Sequence, residues 1–164
     1  MTKMAPKIDK FAFIGIDPGV SGGVCVIEGL NHTVCKCPET VGDMAEVLRP
    51  YRERKDALVS IESVHSMPGQ GVASTFKFGK NFGEWLGILA TLKIPYGLVT
   101  PYKWMQFYGS YPKEKTLRKT HFKNLAQQRV PLLKVTLATA DAILIANQLK
   151  EMRGSGQTMG KTTG

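Results

Sequence analysis

Short apolar runs that end on an acid recur along this chain, and they predict where its strands stop. The first lies in FAFIGIDPGVSGG, residues 11–23. Its hydrophobic and small residues run without alternation up to Asp17, which suits a strand buried on both faces. Pro18 and Gly19 then break the run, and Gly22 and Gly23 open a second one over residues 24–27. Residues 11–17 and 23–28 together predict an antiparallel hairpin. A short third strand is expected at 32–37, ended by Pro38. Residues 57–61 make a fourth that again stops at an acid, Glu62, and 94–100 make a fifth.

Between these runs the hydrophobic period changes to that of a helix. Thr40 reads as the N-cap of a helix over 41–54, with Met44, Val47, Leu48 and Tyr51 on one face and Asp43 and Glu46 near its start. Pro50 argues for a kink or an early end. A longer helix over 74–92 carries Phe78, Phe82, Trp85, Leu86 and Leu89 along one face. Gly79, Gly83 and Gly87 are spaced by four within it and read as a bare stripe for close helix-to-sheet packing. The segment PYKWMQFYG, from Pro101, is rich in aromatics. A basic helix starts around Pro112-Lys113-Glu114 and runs to Arg129, and Thr136 or Thr139 caps a last helix ending at Leu149. The expectation is therefore an α/β fold with a mixed central sheet of about five strands flanked by helices. Residues 1–10 form a flexible lead-in, 11–150 a single domain and 151–164 a disordered tail.

Composition narrows the class. No run of about 18 apolar residues exists, so no membrane span is expected, and the first ten residues lack the apolar core of a signal peptide. Cys25, Cys35 and Cys37 lie close together without a His pair or a second CxxC, so they read as core thiols in a reducing compartment. A cytoplasmic location follows as the expectation, in the host cell if the chain is phage-encoded. Charge says more. Lys and Arg total 22 against 13 acids, and from Pro101 onward there are 11 basic residues against 3 acids. So uneven a surplus argues for a polyanion partner, most simply nucleic acid. Lys103, Lys113, Lys115, Arg118, Lys119 and Lys123 are its candidate phosphate contacts.

Three acids stand apart from the rest. Asp17 and Glu62 end buried strands, and Asp141 interrupts a helix that is apolar almost all round, from Leu137 to Ala146. A lone buried carboxylate costs several kcal/mol unless it is paired or bound to metal. Asp-Pro-Gly is equally ordinary turn chemistry, and Asp141 has the alternative of bonding locally near its helix start. If the three converge, they repel one another unless a cation offsets them. Hard oxygen ligands without nearby Cys or His favour Mg²⁺ or Mn²⁺, and such ions serve phosphodiester cleavage.

The stretches IGIDPGVSGG, VSIESVHSMPGQGVASTFKFGKNFGEWLGILATLKIPYGLVTP and ATADAILIA occur in that order. In this they resemble the RuvC-like Holliday-junction resolvases, in particular the short forms carried by phages. The resemblance spans residues 11–149. It implies a ribonuclease H-like fold, a homodimer, and paired nicks in four-way DNA junctions with two Mg²⁺ or Mn²⁺ ions per site, leaving 5′-phosphate and 3′-hydroxyl ends. Asp17 would be the ligand shared by both metals, Glu62 the ligand on strand four and Asp141 the ligand on the last helix. Lys103 and Lys115 fall where the family places basic residues of the active site. His65 falls in the loop that enters the junction centre, and Phe76 is the next candidate for that role, whereas Phe78 reads as core. One position departs from the pattern. The family carries an acid or histidine one turn before the last Asp, and here that residue is Ala138. Three carboxylates suffice, or metal binding is weakened, or the chain is an inactivated variant. The last option leaves a non-catalytic protein that binds junctions or branched DNA as the alternative function.

Overall fold

The computed structural model describes residues 11–63, 69 and 71–156. His65 therefore lies outside the described residues, as do the lead-in and the end of the tail. Five strands form one mixed sheet: β1 (Ala12–Asp17), β2 (Gly23–Glu28), β3 (Asn31–Lys36), β4 (Ala57–Glu62) and β5 (Tyr96–Val99). Their order across the sheet is β3-β2-β1-β4-β5. β1 pairs antiparallel with β2 and parallel with β4, and β4 pairs parallel with β5. The non-alternating runs of β1 and β2 are explained by helices on both faces. Their first five residues are all buried.

One face packs on α1 (Val41–Leu48) and α2 (Val72–Thr91), with Ile14, Ile16, Val59, Ile61, Trp85 and Leu89 in its core. The other is covered by α5 (Leu137–Gly154), with α3 (Pro101–Phe107) and α4 (Lys115–Arg129) outside it. Among the described residues, no helix is long and apolar enough to cross a membrane.

Local chemistry accounts for most element ends. Thr40 Oγ1 accepts from Asp43 N at 3.1 Å, capping α1, which gives way at Arg49–Tyr51 to a 3₁₀ turn carrying Pro50. Thr136 and Thr139 form a reciprocal capping box at the start of α5. β5 is shorter than expected because Ile94 N bonds back to Leu89 O at 3.1 Å, closing α2 instead of pairing in the sheet.

Two expectations need correction. A Cβ built on Gly79, Gly83 or Gly87 would meet open space, so the stripe does not lie against the sheet. Close backbone packing occurs instead at Gly15 and Gly23, where a Cβ would fall 2.2 Å from Ala142 O and 2.7 Å from Ala138 O. The helix laid on the sheet is α5, through its alanines, and the glycines that admit it are in the strands. Second, α5 continues past Leu149 to Gly154, so Glu151 and Arg153 are helical and not tail. Long-range partners hold this last stretch: Glu151 pairs with Arg129, and the Arg153 guanidinium lies 3.5 Å from the centre of the Phe11 ring.

Candidate active site

Strand register brings two of the acids together. Ile16 pairs with Ile61 across the parallel β1–β4 ladder, so Asp17 and Glu62, one residue further on, end neighbouring strands side by side. Strand neighbours stand about 4.8 Å apart. Alternation sets their face. Ile14, Ile16, Val59 and Ile61 point to the α1–α2 side, whereas Phe13, Gly15 and Leu58 point to α5, and Asp17 and Glu62 follow the latter. Because Gly15 and Gly23 let α5 lie directly on the strands, its first turns cross the same sheet end, and Asp141 arrives with them.

The electrostatics register this meeting. Each acid keeps a partly exposed edge yet is densely surrounded by protein. Burial, then Glu62, then Asp141 raise the Asp17 carboxyl well above its ordinary range, with Lys119 opposing. Burial pushes Glu62 up to about 7, helped by Asp141 and opposed by the hydrogen bond from Trp104. Burial raises Asp141 to about 6 against Lys119 and Arg118. Among the described residues, the cations that bear on the acids are Lys119 and Arg118, from the first half of α4. Lys103 instead lines a small cavity with Ser60, Leu98, Gln148 and Met152, beside the C-terminal half of α5. Lys113 and Lys115 are exposed at the start of α4, and Lys123 is half-buried two turns along it.

The turn after Asp17 is anchored from α2. Asn81 Oδ1 accepts from Gly19 N at 2.7 Å, and Gly19 has φ +107°, a conformation that suits glycine. Phe78 belongs to this rim and not to the core. It is half-buried and, with Gly19, Val20, Ser21, Ser74 and Lys77, lines a groove of about 350 Å³ beside the Asp17 turn. Phe76 is 70% exposed, available to a partner. Ala138 occupies the second position of α5, one turn before Asp141.

Two contributors escaped the sequence pattern. Trp104 donates its indole N–H to Glu62 Oε2 at 2.6 Å, and Asn81 holds the turn. Pro101 opened an aromatic-rich segment, but nothing in the order of residues paired Trp104 with Glu62. The cysteines stay outside the chemistry. All three are free thiols, and burial pushes Cys25 up to about 12.

An all-oxygen, mutually repelling donor set of this kind fits a hard divalent cation. Among the described residues, however, no three His, Cys, Asp or Glu side chains close tightly enough to ligate one ion together.

Neither a family model nor a curated protein matches the sequence. Solved structures do match. RuvC of T. thermophilus in complex with a Holliday junction substrate shares 18% identity at a TM-score of 0.64, over 91% of this chain and 98% of that one. A second structure of Thermus thermophilus RuvC shares 20% identity at 0.62, over 91% and 99%. With TM-scores of 0.64 and 0.62 and near-complete coverage of both chains, this chain's mixed five-stranded sheet and its flanking helices have the RuvC-like, ribonuclease H-like fold.

Proposed function

We propose that this protein is a structure-selective DNA endonuclease that resolves four-way junctions, acting as a homodimer that nicks two strands. One observation carries the reading: Asp17, Glu62 and Asp141, far apart in sequence, act on one another electrostatically at one sheet end of a RuvC-like fold. Asp17, Glu62 and Asp141 would hold two Mg²⁺ or Mn²⁺ ions. When bound, such ions supply activation of water and charge stabilisation on a leaving oxygen. The protein's own share is orientation and charge. β1 and β4 fix two ligands rigidly, and α5 brings the third. Lys119 and Arg118, which already oppose the negative charge of the acids, are placed to steady a phosphate. The exposed Lys113 and Lys115 continue the basic face along which a backbone can lie. Phe76 offers an exposed ring to an unstacked base.

Ala138 favours a second reading, a junction-binding protein without nuclease activity, because it removes a donor one turn before Asp141. A labelled four-way junction separates the two. The nuclease reading expects paired nicks in Mg²⁺, with Asp17→Asn lowering nicking roughly a hundredfold or more while gel-shift binding in Ca²⁺ persists. Tight binding with no nicking, in the wild type and in Ala138→Asp alike, would overturn it in favour of the second.

A further inference from the structure

Among the described residues, Glu62 differs from its two companions in having a dedicated neutral partner. The Trp104 indole N–H reaches its Oε2 at 2.6 Å, at the short end for an N–H···O bond. We infer that Trp104 is a positioning residue for Glu62, fixing one carboxylate oxygen so that the other is presented to the cation. This rests on the metal-dependent reading above.

The frame behind the indole is rigid. Thr100 caps α3, with Pro101 in its first turn, and Trp104 N donates back to Thr100 O at 3.2 Å. The ring is 2% exposed and meets Phe122 edge-on, at 5.0 Å between centres, and Phe122 in turn sits 5.2 Å from Tyr111. Phe122 lies one turn after Arg118 and Lys119 on α4. A single aromatic contact therefore ties the orientation of Glu62 to the helix whose cations face Asp141.

Indole suits this task chemically. It donates one hydrogen bond, accepts none and carries no charge. It can orient a carboxylate without neutralising it or competing for metal, as a lysine or arginine would. Packing alone does not require the bond. Trp85 is fully buried on the opposite face of the sheet, and its indole N–H has no partner of hydrogen-bond geometry, meeting only the weakly accepting sulfur of Cys37. This fold accommodates a buried indole without giving it a carboxylate.

The test reads metal binding directly. The chain has two tryptophans, so protein labelled with ¹⁵N-tryptophan gives two indole signals, and Trp104→Phe identifies one of them. Titration with Mg²⁺ should move the Trp104 signal saturably and leave that of Trp85 in place. Loss of such a partner typically costs 10–100-fold in metal affinity. Trp104→Phe should therefore weaken Mn²⁺ binding, followed by electron paramagnetic resonance, by about that factor. The metal concentration for half-maximal nicking should rise in step, with KM for the junction unchanged. If Trp104→Phe does not fold, benzothienylalanine at position 104 keeps the shape and removes only the N–H, and the same loss is expected. Wild-type affinity in a folded variant, or a Trp104 signal that stays still at saturating metal, would overturn the inference and leave the nuclease reading intact. Failure of the wild type to bind Mn²⁺ would overturn both.

Discussion

The two ends of the central sheet both carry clustered acids, and they treat them in opposite ways. Where β1 begins, Glu28 and Asp56 surround Arg54. Its guanidinium donates to Asp56 Oδ1 at 2.9 Å and to Glu28 Oε1 at 3.0 Å, and the Tyr51 hydroxyl adds a bond to Glu28 at 3.2 Å. Where β1 ends, Asp17, Glu62 and Asp141 are drawn together with no arginine or lysine salt-bridged to any of them among the described residues. The first arrangement answers charge with charge and stabilises the fold. The second leaves repulsion in place, which costs stability and is relieved only by protons or by a cation. Acids that the fold keeps unneutralised are the ones we propose as the functional site.

The comparison breaks most visibly under substitution of the acids. Asp17→Asn should abolish nicking and yet raise the melting temperature of the metal-free protein, because a neutral amide removes repulsion. Glu28→Gln should leave nicking alone and lower the melting temperature. Parallel losses of stability at both ends would show that they do not differ.

pH gives the next largest effect. Glu62 and Asp141 keep protons up to about 7 and about 6 in the folded chain, whereas unfolded carboxylates lose them near pH 4. Between those limits the folded state binds more protons, so stability falls as pH rises through the window. The share of Glu62 and Asp141 in metal-free protein should be on the order of a few kcal/mol and complete above about pH 7, and Asp17, raised in the same direction, adds to the fall. Mg²⁺ or Asp17→Asn should flatten the slope. Thermal melts from pH 5 to pH 8 check this, and a metal-free melting temperature that climbed across the range would contradict it.

Ala138→Asp sharpens the contrast by adding an acid one turn before Asp141. Metal affinity grows with the number of charged ligands, so Mn²⁺ binding should tighten roughly tenfold and nicking at low metal should rise. Unchanged binding would mean that three carboxylates already suffice. The smallest effect belongs to the neutralised end. Arg54→Ala breaks partly exposed pairs and should cost about 1 kcal/mol in denaturant unfolding, with no change in nicking.

Much of this was legible in the order of residues. Apolar runs ending at Asp17 and Glu62 marked two strand ends, the first because Pro18 and Gly19 cannot continue such a strand. Thr40 marked a helix start, because its hydroxyl accepts a first-turn backbone N–H, and Thr136 and Thr139 marked another, where the Thr139 hydroxyl accepts from Thr136 N. Asp141 stood out because a charge in an apolar helix demands a reason. These are local consequences of backbone geometry and solvation, and neighbouring residues suffice to determine them. What tertiary structure alone decided is which distant groups share a space. Gly79, Gly83 and Gly87 had the spacing of a packing stripe and face open space, while Gly15 and Gly23, unmarked by any periodicity, admit α5 onto the sheet. Lys103 and Lys115 matched expected positions, but Lys119 and Arg118 are the cations that oppose the acids. Trp104 found Glu62 across 42 residues. Strand register and helix placement set these partnerships, and both are properties of the whole packed chain. The stretch around Asp17 thus specified a rigid carboxylate by itself, and only the fold surrounded it with two more.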